Sequence, residues 1–505
     1  MDNNKWLSHI AQWQRFLDEL LVKAETKGDE IKLQRQRQIL EDTRYAGVNN
    51  PKLLIEFINP SANPVLDSTN IDFTLALNDS QKQAVNMAIS DNVLSLIQGP
   101  PGTGKTQVIT EICLQLYKSN PNVRILVCSE THIAVNNLIS RLSKASEDIR
   151  IVRIRDKEQD ESVDEFSPEA IMTLYTDWLK NNLVDQDLAT MLSDTLSNYD
   201  DISLEKALTL SANVTGMTCN RVGAYNYKIP NEYFDVVIID EVCKATLPEI
   251  LMPLSVAKKA IFVGDPKQLP PVFCSEELDI IKSIENCSLQ NYMYIDKLFS
   301  DSNCVVQLDT QYRMSERIST LISSLFYNNH LHNGKQDGEN GIVEWIDYQP
   351  SQSWPPKSDE DKQKIYNCDE CKLITELLVD LDIQVNQGKT IAIIAPYRSQ
   401  VYTIRQQVRD MYFDYIEVYV DTVDGFQGKE SDIVIFSLTR THGSYRFLAD
   451  ERRLNVALSR AKEAIHMVGS LQFAESNKLL KEIASRCDKT HIDIGEDSVS
   501  KIYNV

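Results

Sequence analysis

Eight residues constrain this chain more than any others: Gly99, Pro100, Pro101, Gly102, Thr103, Gly104, Lys105 and Thr106, set between the apolar run VLSLIQ (93–98) and a stretch of helical pattern. They fit G-x-x-x-x-G-K-[ST] in strand–loop–helix context. Glycines in such a loop let backbone N–H groups wrap phosphate oxygens with no Cβ in the way. Lys105 reaches the β and γ phosphates, and the Thr106 hydroxyl suits Mg²⁺. A chain built around this loop is expected to be an α/β nucleotide-binding protein, with ATP and Mg²⁺ as its cofactors.

A second apolar run, DVVIID, ends in Asp240 and Glu241. Acidic pairs are common on surfaces, but a pair directly after buried-strand residues is placed for chemistry. Asp240 can hold Mg²⁺ through water, while Glu241 can orient and deprotonate an attacking water. The loop Gly264-Asp265-Pro266-Lys267-Gln268-Leu269-Pro270-Pro271 follows the run AIFVG. It fits either a proline-stiffened turn or a device in which Gln268 senses the γ-phosphate.

The apolar runs fall into two sets. VLSLIQ, VRILVC (123–128), DVVIID (235–240) and AIFVG (260–264) form one; TIAIIA (390–395), VYVD (418–421), DIVIFSL (432–438) and AIHMVG (464–469) form the other. Short apolar runs alternating with helical stretches predict parallel strands covered by helices on both faces. Two sets predict two tandem parallel-sheet domains, 77–304 and 305–490, with a tail at 491–505. Residues 1–45 are expected to be helical, because Trp6, Ile10, Trp13, Leu17 and Leu20 recur on one helix face. That face is expected to pack on the protein's own body, or else to dock a partner. Residues 46–76 contain several Pro and Asn and are expected to form a connector.

The chain has 505 residues and a formal charge of −21, which at first argues against a nucleic-acid partner. The charge is uneven: residues 156–206 hold fourteen Asp/Glu against three Lys. This segment is expected to be an insertion in the first lobe, and an acidic exterior leaves room for a locally basic channel. Its apolar residues Ile171, Leu174, Trp178, Leu179 and Leu183 have the spacing of one helix face. No apolar run reaches the ~20 residues needed to cross a bilayer, and the N-terminus lacks signal-peptide order. The ten cysteines are scattered. Cys368 and Cys371 have the spacing of a zinc half-site, but no second Cys/His pair sits nearby, so a reduced structural pair is expected. A cytoplasmic protein with no membrane partner is expected.

GPPGTGKT, DEVCKAT, GDPKQLPP, QYRM, TVDGFQGKE and RRLNVALSRA occur in the order and spacing of superfamily 1 helicases. Between about residues 77 and 470 the chain resembles the 5′→3′ branch that includes the RNA helicase of nonsense-mediated decay. The resemblance implies two RecA-like lobes with ATP between them. It also implies that Gln81 reads the adenine edge, Tyr312 stacks on the base, and Glu430 holds the ribose with Lys429 beside it near the phosphates. Arg313 and Arg460 become arginine fingers, suited to the charge that builds on the γ-phosphoryl oxygens. Its nucleic-acid track implies contacts from Thr131 and His132, Thr218 and Cys219, Pro396 and Tyr397, and Thr422 and Val423, each of which could equally be a capping or packing residue.

Three positions depart from the family pattern: Lys244 replaces a usual Gln, Glu130 a Pro and Ala395 a Thr. A full β-barrel ahead of the P-loop is not expected in the residues preceding LNDSQ, and strand separation is less firmly implied than translocation. Two readings follow. One is an ATP-dependent helicase or translocase moving 5′→3′ on single-stranded RNA or DNA. The other is an ATP-driven nucleic-acid sensor or scaffold subunit, with a protein partner on the N-terminal helix or the acidic insertion.

Overall fold

The computed structural model describes residues 3–45, 50–60, 71–155, 165–183, 186–197, 201–225, 233–284, 292–301, 305–335, 341–354, 365–385, 387–445 and 448–493. By packing, the chain divides into two units. Met1–Gly99, Lys105–Pro266 and Pro270–Leu308 make the first; Pro100–Gly104, Lys267–Leu269 and Asp309–Val505 make the second.

The first unit opens with three helices, α1 (Asn3–Lys23), α2 (Lys27–Arg44) and α3 (Pro51–Ile58). The expected single helical segment is thus two helices, because Thr26 caps α2 by accepting from Asp29 N. The expected connector holds α3, started by Asn50 as N-cap and Pro51 at its first turn. Residues 46–49 and 61–70 lie outside the described residues. Trp6, Ile10, Trp13 and Leu17 are all buried in the unit's own core. Trp13 meets Tyr292 at 4.6 Å and Trp6 meets Tyr294 at 5.6 Å between ring centroids. Burying each such side chain stabilises by about 1.5–3 kcal/mol. The apolar face expected to serve either the body or a partner therefore serves the body.

Then come α4 (Asp79–Ile89), β1 (Leu94–Gln98), α5 (Lys105–Ser119), β2 (Ile125–Ser129), α6 (His132–Ala145) and β3 (Ile151–Arg153). The acidic insertion contributes α7 (Pro168–Asn182), α8 (Gln186–Ser197) and α9 (Asp201–Ser211); 156–164, 184–185 and 198–200 lie outside the described residues. After it run β4 (Val214–Thr218), α10 (Cys219–Tyr225), β5 (Phe234–Asp240), α11 (Leu247–Leu254), β6 (Ala257–Gly264) and β7 (Val305–Gln307). The strands form one parallel sheet in the order β3-β4-β2-β5-β6-β1-β7. Alternate residues face opposite layers: Leu126, Val237, Ile239 and Phe262 join the N-terminal helices, while Val127, Ile238, Ile261 and Val263 join α4, α5 and α6. Val305–Gln307, expected to start the second lobe, instead pairs with β1 and edges this sheet.

The expected single apolar face of the insertion divides. Leu179 is buried and Ile171 packs on the core, whereas Leu174, Tyr175 and Trp178 are exposed. Glu205 of α9 pairs with Arg221 of α10 at 3.3 Å.

In the second unit, β8 (Thr310–Gln311) and β9 (His332–Asn333) make a two-stranded ladder. β10 (Ile342–Tyr348), β11 (Lys389–Ala395), β12 (Ile416–Thr422), β13 (Ser431–Ser437), β14 (Ala461–Val468) and β15 (Asp488–Ile492) form a parallel sheet ordered β12-β11-β13-β14-β10-β15. Again the two faces separate: Ala392, Ile394, Val434 and Phe436 on one side, Ile391, Ile393, Ile433 and Ile435 on the other. The expected tail begins inside β15, and 494–505 lie outside the described residues.

Candidate ATPase site and nucleic-acid edge

In a parallel sheet, ligands sit beyond the carboxyl ends of the strands, and the chemistry-bearing residues collect there. Gln98 ends β1 and Lys105 begins α5, with Gly102 and Gly104 between them at φ 74° and 79°. Only glycine adopts that left-handed backbone without strain, so it is at these two positions that the motif needs its glycines. Gly99 N donates to Gly264 O at 2.9 Å, tying the loop's start to the end of β6. Thr103 is buried and its hydroxyl donates to Pro100 O at 2.8 Å. Pro101 lies between those two loop residues. Lys105 Nζ donates to Gly99 O at 2.9 Å and stands 3.7 Å from Glu241 Oε1.

Asp240 closes β5 and is buried, and its Oδ1 accepts from Glu241 N at 2.9 Å. Burial, and then the neighbouring Glu241 charge, push its carboxyl up to about 7. Glu241 has φ 52°, an unfavourable backbone for a residue with a long side chain, and such strain gathers at functional positions. No group of three or more His, Cys, Asp or Glu among the described residues could enclose a metal by itself. One buried carboxylate and the Thr106 hydroxyl form a hard oxygen donor set. That set fits an Mg²⁺ whose remaining ligands are nucleotide phosphates and water.

The adenine candidate Gln81 is buried, and its side-chain oxygen accepts from Asn78 N at 3.0 Å in a capping box at the start of α4. Within the second unit, Tyr312 is 45% exposed. Arg313 Nε donates to Glu430 Oε2 at 2.8 Å, and Arg313 Nη1 donates to Ser459 O at 3.2 Å. Lys462, which the sequence did not single out, stands 3.1 Å from Glu430 Oε1. Burial would raise the Glu430 carboxyl, but Arg313 and Lys462 outweigh it and hold it below the ordinary range. Arg460 is buried and donates to Val456 O at 2.9 Å, Lys429 O at 3.3 Å and Gln268 Oε1 at 3.1 Å. Gln268, also buried, is thus the acceptor of an arginine as well as part of a turn.

The expected nucleic-acid residues lie on the same carboxyl edges, and several are engaged locally. Thr131 caps α6 by accepting from Ala134 N, Thr218 accepts from Arg221 N, and Thr422 accepts from Gly425 N. His132 Nδ1 lies 3.1 Å from Arg153 Nη2. Arg153, fully buried, also binds Asn136 Oδ1, Ile154 O and Gly216 O. The sequence gives no sign of this, since one charge in a three-residue strand does not signal burial. Cys219, Val423 and Ala395 are buried and carry no exposed contact surface. Pro396 leads into Tyr397, whose hydroxyl accepts from Arg440 Nε at 2.7 Å. Cys368 and Cys371 are free thiols at the start of a helix, Cys371 buried.

Two family profiles, each described as an AAA domain, match residues 76–193 with 176–276, and 289–472. DNA polymerase alpha-associated DNA helicase A of Saccharomyces cerevisiae is 28% identical over 477 residues, covering 82% of this chain and 68% of that protein. Its namesake in Schizosaccharomyces pombe is 30% identical, covering 79% of this chain and 64% of that protein. ATP-dependent helicase NAM7 of S. cerevisiae is 32% identical, covering 80% of this chain and 42% of that protein. The crystal structure of Arterivirus nonstructural protein 10, a helicase, aligns with a TM-score of 0.40 and 14% identity, over 80% of this chain and 63% of that one. The chain thus spans between two fifths and about two thirds of the length of these proteins.

A phosphate loop after β1, an Asp–Glu pair ending β5 and two RecA-like parallel sheets define a P-loop ATPase. The order of its remaining motifs narrows the class further. The chain belongs to the superfamily 1 helicases of the branch that includes the nonsense-mediated-decay enzyme, and it is an ATP hydrolase.

Proposed function

We propose that the chain converts ATP hydrolysis into 5′→3′ movement along single-stranded nucleic acid. The observation that carries this reading is a strand register. Ser129, the last residue of β2, is the Cα partner of Asp240, the last residue of β5. The loop bearing Thr131 and His132 therefore leaves the sheet beside the acid pair, so a change at the phosphates is felt next door at the nucleic-acid edge. In this reading Glu241 deprotonates the attacking water, and Lys105, Thr106 and Asp240 hold the phosphates and Mg²⁺. Arg313 and Arg460 supply positive charge as the γ-phosphoryl group transfers. Gln81, Tyr312 and Glu430 hold the base and ribose.

Burial of Trp6, Trp13 and Leu17 withdraws the N-terminal helix from the sensor or scaffold reading. The exposed Leu174, Tyr175 and Trp178 in an acidic setting support a protein partner on the insertion as an addition to the motor. No described helix is long and apolar enough to cross a membrane. The free thiols suit a reducing, cytoplasmic setting.

ATP turnover measured without nucleic acid, with single-stranded RNA and with matched DNA tests this function. Stimulation by at least one strand is expected, and the larger stimulation identifies the substrate. Equal turnover in all three would remove the nucleic-acid track from the proposal.

A further inference from the structure

We propose that Arg440 is a phosphate-gripping residue of the nucleic-acid track, held rigidly by a buried network around Glu370; this deepens the motor reading and rests on it. Three adjacent parallel strands, β12, β11 and β13, end side by side, at Thr422, Ala395 and Ser437. Thr422 at the end of β12, and Tyr397 and Arg440 in the segments that follow β11 and β13, therefore lie at one sheet edge. Arg440 Nε donates to the Tyr397 hydroxyl at 2.7 Å, and its guanidinium carbon lies 5.2 Å from that ring's centroid. Among the described residues no carboxylate pairs with Arg440. Its two terminal nitrogens keep donors to spare, in the fork geometry that suits a phosphate.

The backbone that presents this side chain is under strain. Thr439 has φ 71°, a rare conformation for a β-branched residue, and Arg440 N donates to Leu438 O at 2.8 Å, closing a γ-turn centred on Thr439. Such a turn persists only where its surroundings over-determine it. Here they do. Glu370 Oε2 accepts from Thr439 N at 2.7 Å and from the Ser437 hydroxyl, and Asn367 Nδ2 donates to Thr439 O at 3.1 Å. On the other side, Thr441 N donates to Trp354 O at 3.0 Å, and Trp354 N donates to the Thr441 hydroxyl at 2.9 Å. Arg440 stands between two pinned residues, so little side-chain and backbone freedom is left to lose when a phosphate arrives. Glu370 and Asn367 are positioning residues, and Arg440 makes the contact.

The test is the salt dependence of binding by the full chain, without nucleotide, to labelled single-stranded oligo(dT) and oligo(U). Single strands release about 0.7 counterions per neutralised phosphate, so losing one contact should weaken binding roughly fivefold near ~0.1 M salt. Arg440→Gln is expected to show that loss and to flatten the log–log salt slope by about 0.7. Arg440→Lys should keep the slope, since the charge remains. Arg317, ion-paired with Asp488 near the start of β15 and so at the opposite sheet edge, provides the control variant Arg317→Gln. Unchanged affinity and slope in Arg440→Gln, or an equal change in Arg317→Gln, overturns the assignment while leaving the motor reading intact. No binding by the parent chain to either strand overturns both.

Discussion

Lys105 Nζ stands 3.7 Å from Glu241 Oε1, so the proposed phosphate-binding cation and the proposed general base are neighbours. In the proposed reading Lys105 serves the γ-phosphate and Glu241 takes the proton of the attacking water. Lys105→Ala and Glu241→Gln should both abolish turnover, by different routes. The first removes a phosphate contact and should weaken ATP binding. The second keeps the site's shape without the base and should retain bound ATP. Nucleotide affinity measured beside single-turnover hydrolysis separates the two, and normal hydrolysis in either variant would refute their assigned roles.

Arg313→Ala and Arg460→Ala should each lower turnover by about 10³-fold or more, the range of arginine fingers. Their stabilities should differ. Arg460 is buried and serves three acceptors, so its loss should also cost about 1–3 kcal/mol in urea unfolding. Arg313 ion-pairs with Glu430, which is 44% exposed, and its loss should cost less. Turnover reduced less than tenfold in both variants would show that neither acts on the phosphoryl group.

Glu370 makes a pH prediction. Burial pushes its carboxyl from an ordinary 4.5 up to about 8, against donors from Ser437, Thr439 and Tyr348. A raised carboxyl stabilises the fold fully below its unfolded pKa, and that contribution fades as pH rises towards 8. Glu370→Gln, neutral throughout, should therefore melt closer to the parent near pH 5 and gain on it near pH 9. An identical pH profile of melting temperature in parent and variant would show that the carboxyl titrates normally.

Trp13→Ala should destabilise the first unit by about 3–5 kcal/mol, because the side chain is buried against Tyr292 and Phe16. Denaturant unfolding followed by circular dichroism measures it. A loss below about 1 kcal/mol would mean that the N-terminal helices are an appendage.

Strands were legible where they are apolar throughout, as in Val236–Ile239 and Ile391–Ala395, because both faces of a parallel sheet are covered. β4 escaped notice because Thr215, Gly216 and Thr218 interrupt its apolar pattern, and β3 because it is three residues long and ends in Arg153. β10 carries Glu344 and Asp347, which suggest exposure; Glu344 is buried because His466 Nδ1 lies 2.9 Å from it. The phosphate loop and acid pair could be read directly, since their chemistry demands a local spacing. Glu370 and Arg440 could not, because their partners are separated by scores of residues and meet only through the order of strands. The one sequence signal for Arg440 is its place just after an apolar strand, the same position that points to Tyr397 and Thr422.

Directional movement is tested most directly by displacement of streptavidin from a biotinylated single strand in the presence of ATP. A motor travelling 5′→3′ should clear streptavidin from the 3′ end much faster than from the 5′ end, and Glu241→Gln should clear neither. Faster clearance from the 5′ end, or ATP-independent release from both, would contradict the proposed motor.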